Sequence, residues 1–251
     1  MISFFRKLRK KYAENNRPLK YFRYAVGEIF LVVIGILIAL SINNWNDGRK
    51  NEIKEHQILT EMHNNLKIDS IDMAGNILRN TRVLHSAEAI QNQLKNNIAW
   101  NDSMATHYSH INTYISKIAV VKSSYENLKS IGFDLIKNDS LRGKIHELYA
   151  QQYPFVERME SEHMEAMKYA ILLPQLTSKV KSISKWKAKP LDLNTLVHDN
   201  QFKETIIIFI KAQEGFIGLY QSLQQLQSEL MEMIEKEIAI KTQPKHQSTN
   251  D

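Results

Sequence analysis

The chain has 251 residues, with 33 Lys+Arg against 27 Asp+Glu, a formal net charge of +6, and no cysteine. The missing thiols exclude disulfides, thiolate catalysis and Cys-ligated zinc or iron–sulfur centres. Eight Gly and five Pro fall well below the roughly 7% and 5% of an average protein, which argues against a loop-rich or all-β fold.

The positive charge is local. Residues 1–23 hold eight basic side chains and only Glu14 as an acid, residues 24–42 hold only Glu28, and residues 43–251 balance at 25 basic and 25 acidic groups. A broad nucleic-acid-binding face on the main domain therefore has no support, and no nucleic-acid partner is expected. The basic arm, with Arg6, Lys7, Arg9, Lys10 and Lys11 interleaved among Phe4, Phe5 and Leu8, suits an interfacial helix on anionic lipid.

Residues 24–42 read YAVGEIFLVVIGILIALSI, with no polar side chain from Ile29 to Leu40. Nineteen helical residues cover roughly 28 Å, close to a hydrocarbon core of about 30 Å. Tyr21, Phe22 and Tyr24 on one side and Trp45 on the other supply interfacial aromatics. A cleaved signal peptide is the competing reading, but its charged region and apolar run would both be unusually long. The charge asymmetry places residues 1–23 in the cytoplasm, residues 24–42 in the bilayer and residues 43–241 outside it. Glu28 is either a functional intramembrane carboxylate or a side chain snorkelling toward Lys20 and Arg23, and its shallow depth favours the second. Gly35 and Ala39 form a small-xxx-small pair that permits close helix approach.

The remainder is predicted to be an all-α, antiparallel helical bundle. From Glu52 to Asn97 there is no proline, and Leu59, Leu66, Met73, Ile77, Leu84, Ala87, Leu94 and Ile98 recur at helical spacing. His63, Ser70, Asn80 and Gln91 interrupt that seam, so it reads as a partly buried helix and not a tight coiled coil. Only Asp47-Gly48 stands between it and the membrane segment, so the two can be continuous. A helix is expected from Ser103, another from Ser123 or Ser124 to a stop at Gly132, and a third capped by Asp139-Ser140 and perturbed at Pro154. Residues between Pro174 and Asp192 read as a connection. The last helix starts at an Asp199 cap, with Ala212, Phe216, Leu219, Leu223, Leu226, Leu230 and Met233 stepping by fours and threes. Phe209, Tyr220 and Ile234 widen that seam, which favours a bundle over a dimeric coiled coil. The polar segment 242–251 reads as a disordered tail.

The stretch Tyr24-Ala25-Val26-Gly27-Glu28-Ile29, followed by LVVIGILIALSINNWND from Leu31, resembles an uncharacterised family of single-pass, helical membrane proteins of Gram-negative bacteria. SSYENLKSIGFDLIKNDSLRGKIHELY from Ser123, YPFVERME from Tyr153 and LVHDNQF from Leu196 are similar to the same family. The resemblance implies an inner-membrane protein with an external, periplasmic helical domain, and it transfers no activity or site residue. Members commonly carry Pro after the Asp of the last-helix cap, where this chain has Asn200.

Local catalytic patterns are missing. His107 and His110 share a helical face, and Glu160 and His163 make a single Glu-x-x-His where di-iron bundles need two and further glutamates. His146-Glu147 lacks its second ligand because position 150 is Ala150. Glu157, Glu160, Glu162 and Glu165 read as the solvated face of a helix. There is no Gly-rich phosphate loop and no GxSxG. No cofactor, metal site or catalytic residue is expected. The leading expectation is a membrane-anchored interaction or scaffolding module whose partners are the bilayer and a protein or a second copy. A ligand-binding sensor or accessory subunit is the alternative, and an enzyme with a non-local site comes third.

Overall fold

In a computed structural model, residue 7 and residues 18–113 and 117–242 are described. Of the basic arm, Arg6, Arg9, Lys10 and Lys11 lie outside these residues, as does 243–251 of the expected tail; Thr242 itself closes the last helix. The chain divides into two units, Met1–Lys54 and Glu55–Asp251.

Helix α1 runs over Pro18–Lys95 without a break, so neither Asp47 nor Gly48 stops it. It ends where Asn97 adopts φ 49° and the Ile98 amide donates to the Gln93 carbonyl at 3.0 Å. That six-to-one bond around a left-handed residue is a Schellman closure, which Asn tolerates. Helix α2 is Met104–Thr113 and α3 is Ser123–Ile131, stopped at Gly132. Gly132 has φ 116°, a conformation only glycine enters cheaply.

A helical run follows, made of α4 (Asp139–His146), α5 (Tyr153–Met159) and α6 (Leu173–Lys179) with three π-helical stretches between them. The α4 cap is Asn138, which accepts from the Leu141 amide at 3.1 Å, one residue ahead of the expected Asp139-Ser140. Two of the π stretches end just before Pro154 and Pro174. Each proline lacks an amide and crowds the carbonyl four residues back, and a widened turn relieves that clash.

The connection expected between Pro174 and Asp192 is partly a β-hairpin. Strands β1 (Val180–Ser184) and β2 (Lys187–Pro190) pair antiparallel, Val180 with Pro190 and Lys181 with Lys189, with a bulge between Ser182 and Ser184. Alternation of Lys with Ala188 and Pro190 buries one side of β2 in the core beside α2. The fold remains all-α apart from this ribbon. Helix α7 is Leu193–His198, capped by Asp192, and α8 is Asn200–Thr242. Asp199 caps α8 as expected, its carboxylate accepting from the Phe202 amide at 2.9 Å, so Asn200 in place of proline leaves the cap intact.

Within the second unit α1 and α8 are antiparallel. Glu55 pairs with Lys241 at 2.6 Å and His63 meets Glu235 at 2.7 Å. One core cluster joins Leu59, Met62, Leu66 and Met73 to Leu223, Leu230 and Ile234; a second joins Val83, Ala87, Ile90 and Leu94 to Phe202, Ile206 and Phe209. Most buried positions on α1 fall in two rows of seven-residue spacing, with Ile58, Asn65, Ser86 and Gln93 buried beside them. The rows are Glu55, Met62, Asp69, Asn76, Val83 and Ile90, and Leu59, Leu66, Met73, Asn80, Ala87 and Leu94. On α8 the buried line is Gln213, Phe216, Tyr220, Leu223, Gln227, Leu230 and Ile234. The expected seam is therefore rotated: Ala212, Leu219, Leu226 and Met233 are its half-buried flank.

Candidate functional site

Three features hold the chemistry of the chain. The first is the apolar part of α1, where an 18-residue window reaches a mean hydropathy of 2.7 and none of it is buried. A helix of this length and composition can cross a membrane, and its full exposure separates it from a core helix. Gly35 and Ala39 are exposed on it, Trp45 is 70% exposed, and Glu28 is half-buried. Lys7 is helical and exposed.

The second is a carboxylate clamp on an extended strap, residues 117–122. The Val121 amide donates to Asp69 Oδ1, the Ala119 amide to Asp72 Oδ2 and the Ile118 amide to Glu160 Oε1, each at 2.9 Å. Ion pairs close both ends: Lys117 with Glu165 at 2.6 Å and Lys122 with Glu157 at 2.8 Å. Tyr153 donates its hydroxyl to Asp69 at 3.0 Å and in turn accepts from Gln227, while Tyr220 donates to Glu160 at 2.7 Å. A segment outside any sheet thus gives three of its amides acceptors on acid side chains. Burial pushes the Asp69 and Glu160 carboxyls above the usual carboxylate range, against the lowering pull of the amides and hydroxyls.

This clamp overturns the solvated-face reading for Glu160, while Glu162 of the same run is exposed. Glu160 is 2% exposed, and Glu157 and Glu165 hold the strap. The π turn Glu160–Met164 brings residues five apart onto one side, which a 3.6-residue period does not foresee. His163 is exposed while Glu160 points inward, so the Glu-x-x-His spacing forms no shared site. His107 and His110 do converge, on Ser86 Oγ, with their Nδ1 atoms at 3.2 and 3.0 Å. No group of three His, Asp or Glu side chains suited to a metal occurs among the described residues.

The third feature is a cleft of about 290 Å³ lined by Arg79, Arg82 and Val83 of α1, His110 of α2 and Trp186 at the hairpin tip. Sequence reading missed it because the neutral total hid a local excess: residues 175–191 carry five lysines and no acid.

Residues 28–211 match the sequence profile of a family of unknown function, DUF6090. The chain belongs to that family. The matched span takes in the end of the membrane motif and all three later segments that resembled an uncharacterised family. No curated protein and no solved structure matches the chain. The DUF6090 match begins within α1, takes in the strap, its carboxylates and the hairpin, and stops within α8 before Tyr220 and Gln227.

Proposed function

We propose that this DUF6090 chain is a single-pass inner-membrane protein whose helical bundle lies in the periplasm and binds the helix of a partner protein. The anchor rests on the exposed apolar window, and the orientation on the basic flank before it. The observation that carries the interaction reading is the outward face of α1. Ile68, Ile71, Ala74 and Leu78 share one side, and the three large residues are 56, 75 and 53% exposed. The buried rows of the same helix meanwhile hold Glu55, Asp69, Asn76 and Asn80. Apolar side chains recurring at threes and fours on a solvent face are what a partner helix docks against.

A photoreactive residue at Ile71 of the full-length chain should capture a defined product in native membranes, whereas one at Glu214, on an exposed part of α8, should not. A product containing another protein supports the reading, and a product made only of this chain makes the partner a second copy. No product from Ile71 ends it.

A further inference from the structure

We propose that the cleft under the Trp186 hairpin binds a phosphate monoester carried on a flat or apolar group. Two cations line it: Arg79 and Arg82 face it beside His110, and no acid does. Arg79 is oriented by Asn76 Oδ1 at 3.0 Å and Asp72 at 3.8 Å. Arg82 is exposed beside it, one turn further along the helix. Guanidinium groups suit phosphate because their planar forks offer paired donors.

His110 is held in one orientation. Ser86 Oγ lies 2.9 Å from the Arg82 carbonyl and accepts the approach of both imidazoles. A hydroxyl has one proton, and the carbonyl can only accept it. Both histidines therefore donate Nδ1–H to Ser86, and His110 turns its Nε2 to the opposite side of its ring.

Trp186 supplies the apolar wall. It is 45% exposed, with Lys185 Nζ over its ring at 4.9 Å. Lys181, Lys185, Lys187 and Lys189 are exposed on the same hairpin, and their positive charge raises the local concentration of anions. Volume decides the ligand's size. About 290 Å³ sits at the lower bound of small-molecule sites, roughly 300–1,000 Å³, so one phosphate and one ring-sized group fill it.

The test is calorimetric titration of phenyl phosphate into the full-length chain in mild detergent at fixed ionic strength. Saturable binding at one site is expected, weakened about tenfold or more by Arg82→Gln and by Trp186→Ala. Lys236→Gln, which removes the same charge at the His63 end of the bundle, should leave it unchanged. Identical thermal melting of the variants keeps unfolding out of the comparison. Lack of saturation, binding that survives both cleft variants, or equal weakening by Lys236→Gln overturns the site. Proteoliposomes of phosphatidylcholine with or without phosphatidic acid separate the sources of the monoester. Loss of phenyl phosphate uptake in the phosphatidic acid vesicles assigns a lipid headgroup, and undiminished uptake assigns a soluble compound.

Discussion

Asp69 ties three elements together. Its two oxygens accept from the Val121 amide and the Tyr153 hydroxyl, joining α1, the strap and α5. Removing the carboxylate strands two donors away from water, each at about 1–3 kcal/mol. Asp69→Ala should therefore lower unfolding free energy by about 3 kcal/mol, read as the urea midpoint of the full-length chain in detergent. Asp69→Asn keeps one acceptor oxygen and should lose about half as much. Equal midpoints for wild type and Asp69→Ala would show that the clamp does not hold the strap. Residues of this kind were the least legible. Asp69 and Glu160 are acids in polar surroundings of sequence, and nothing local marks them as buried. Their partners are backbone amides dozens of residues away.

Among elements, α1 tests the phase of packing. Leu66 is fully buried and Ile68, two positions on, is 56% exposed. Leu66→Ala should cost about 2–5 kcal/mol, and Ile68→Ala should stay within about 0.5 kcal/mol. Chemical denaturation of the two variants checks it, and similar losses would mean that the helix is rotated from the described face. The existence of the long helices was plain in the sequence, because proline-free apolar periodicity over many turns has few competitors. The caps at Asp199 and Gly132 were equally readable, since each answers a local need for an acceptor or a positive φ. Rotation was not. On α8 the apolar count favoured Leu219 and Leu226, yet Tyr220 and Gln227 take the centre because the buried hydroxyls and carboxylates need them there. The hairpin was hidden for a different reason: five lysines read as loop, and only contact with α2 buries Ala188 and Pro190.

For the whole molecule, charge is distributed by place more than by total. The net +6 resolves into a basic arm and a basic hairpin, partly offset by a net excess of acids over the rest of the chain. Titration follows the same division. Asp69 and Glu160 have folded pKa values raised by burial, so the folded state holds those protons more tightly than the unfolded one, and stability grows as pH falls through the raised values. Asp199 and Glu229 are depressed, chiefly by their lysine partners Lys179 and Lys144. Their contribution is present above the ordinary values of 3.8 and 4.5 and is lost as pH falls through the lower folded ones. His107, whose pKa burial lowers, opposes the gain from Asp69 and Glu160 as pH falls through the histidine range. Urea midpoints of wild type and Asp69→Asn between pH 8 and pH 5 separate the two effects: the wild type should gain relative to the variant on acidification, and an equal change in both would contradict the burial of Asp69.

The polar residues in the buried rows of α1 have a consequence for synthesis. The inner face of this helix finds its principal partner in α8, which begins at Asn200, 145 residues after Glu55. At about 5–20 residues per second the ribosome needs roughly 7–30 s to make that stretch. Through that interval α1 emerges without the surface that completes its core. A face of unbroken leucine would be a hazard over such a wait. Glu55, Asn65, Asp69, Asn76 and Asn80 break it into short apolar runs that water tolerates; Asn76 and Asn80 bond within the helix, and Glu55, Asn65 and Asp69 meet their partners when the later segments arrive.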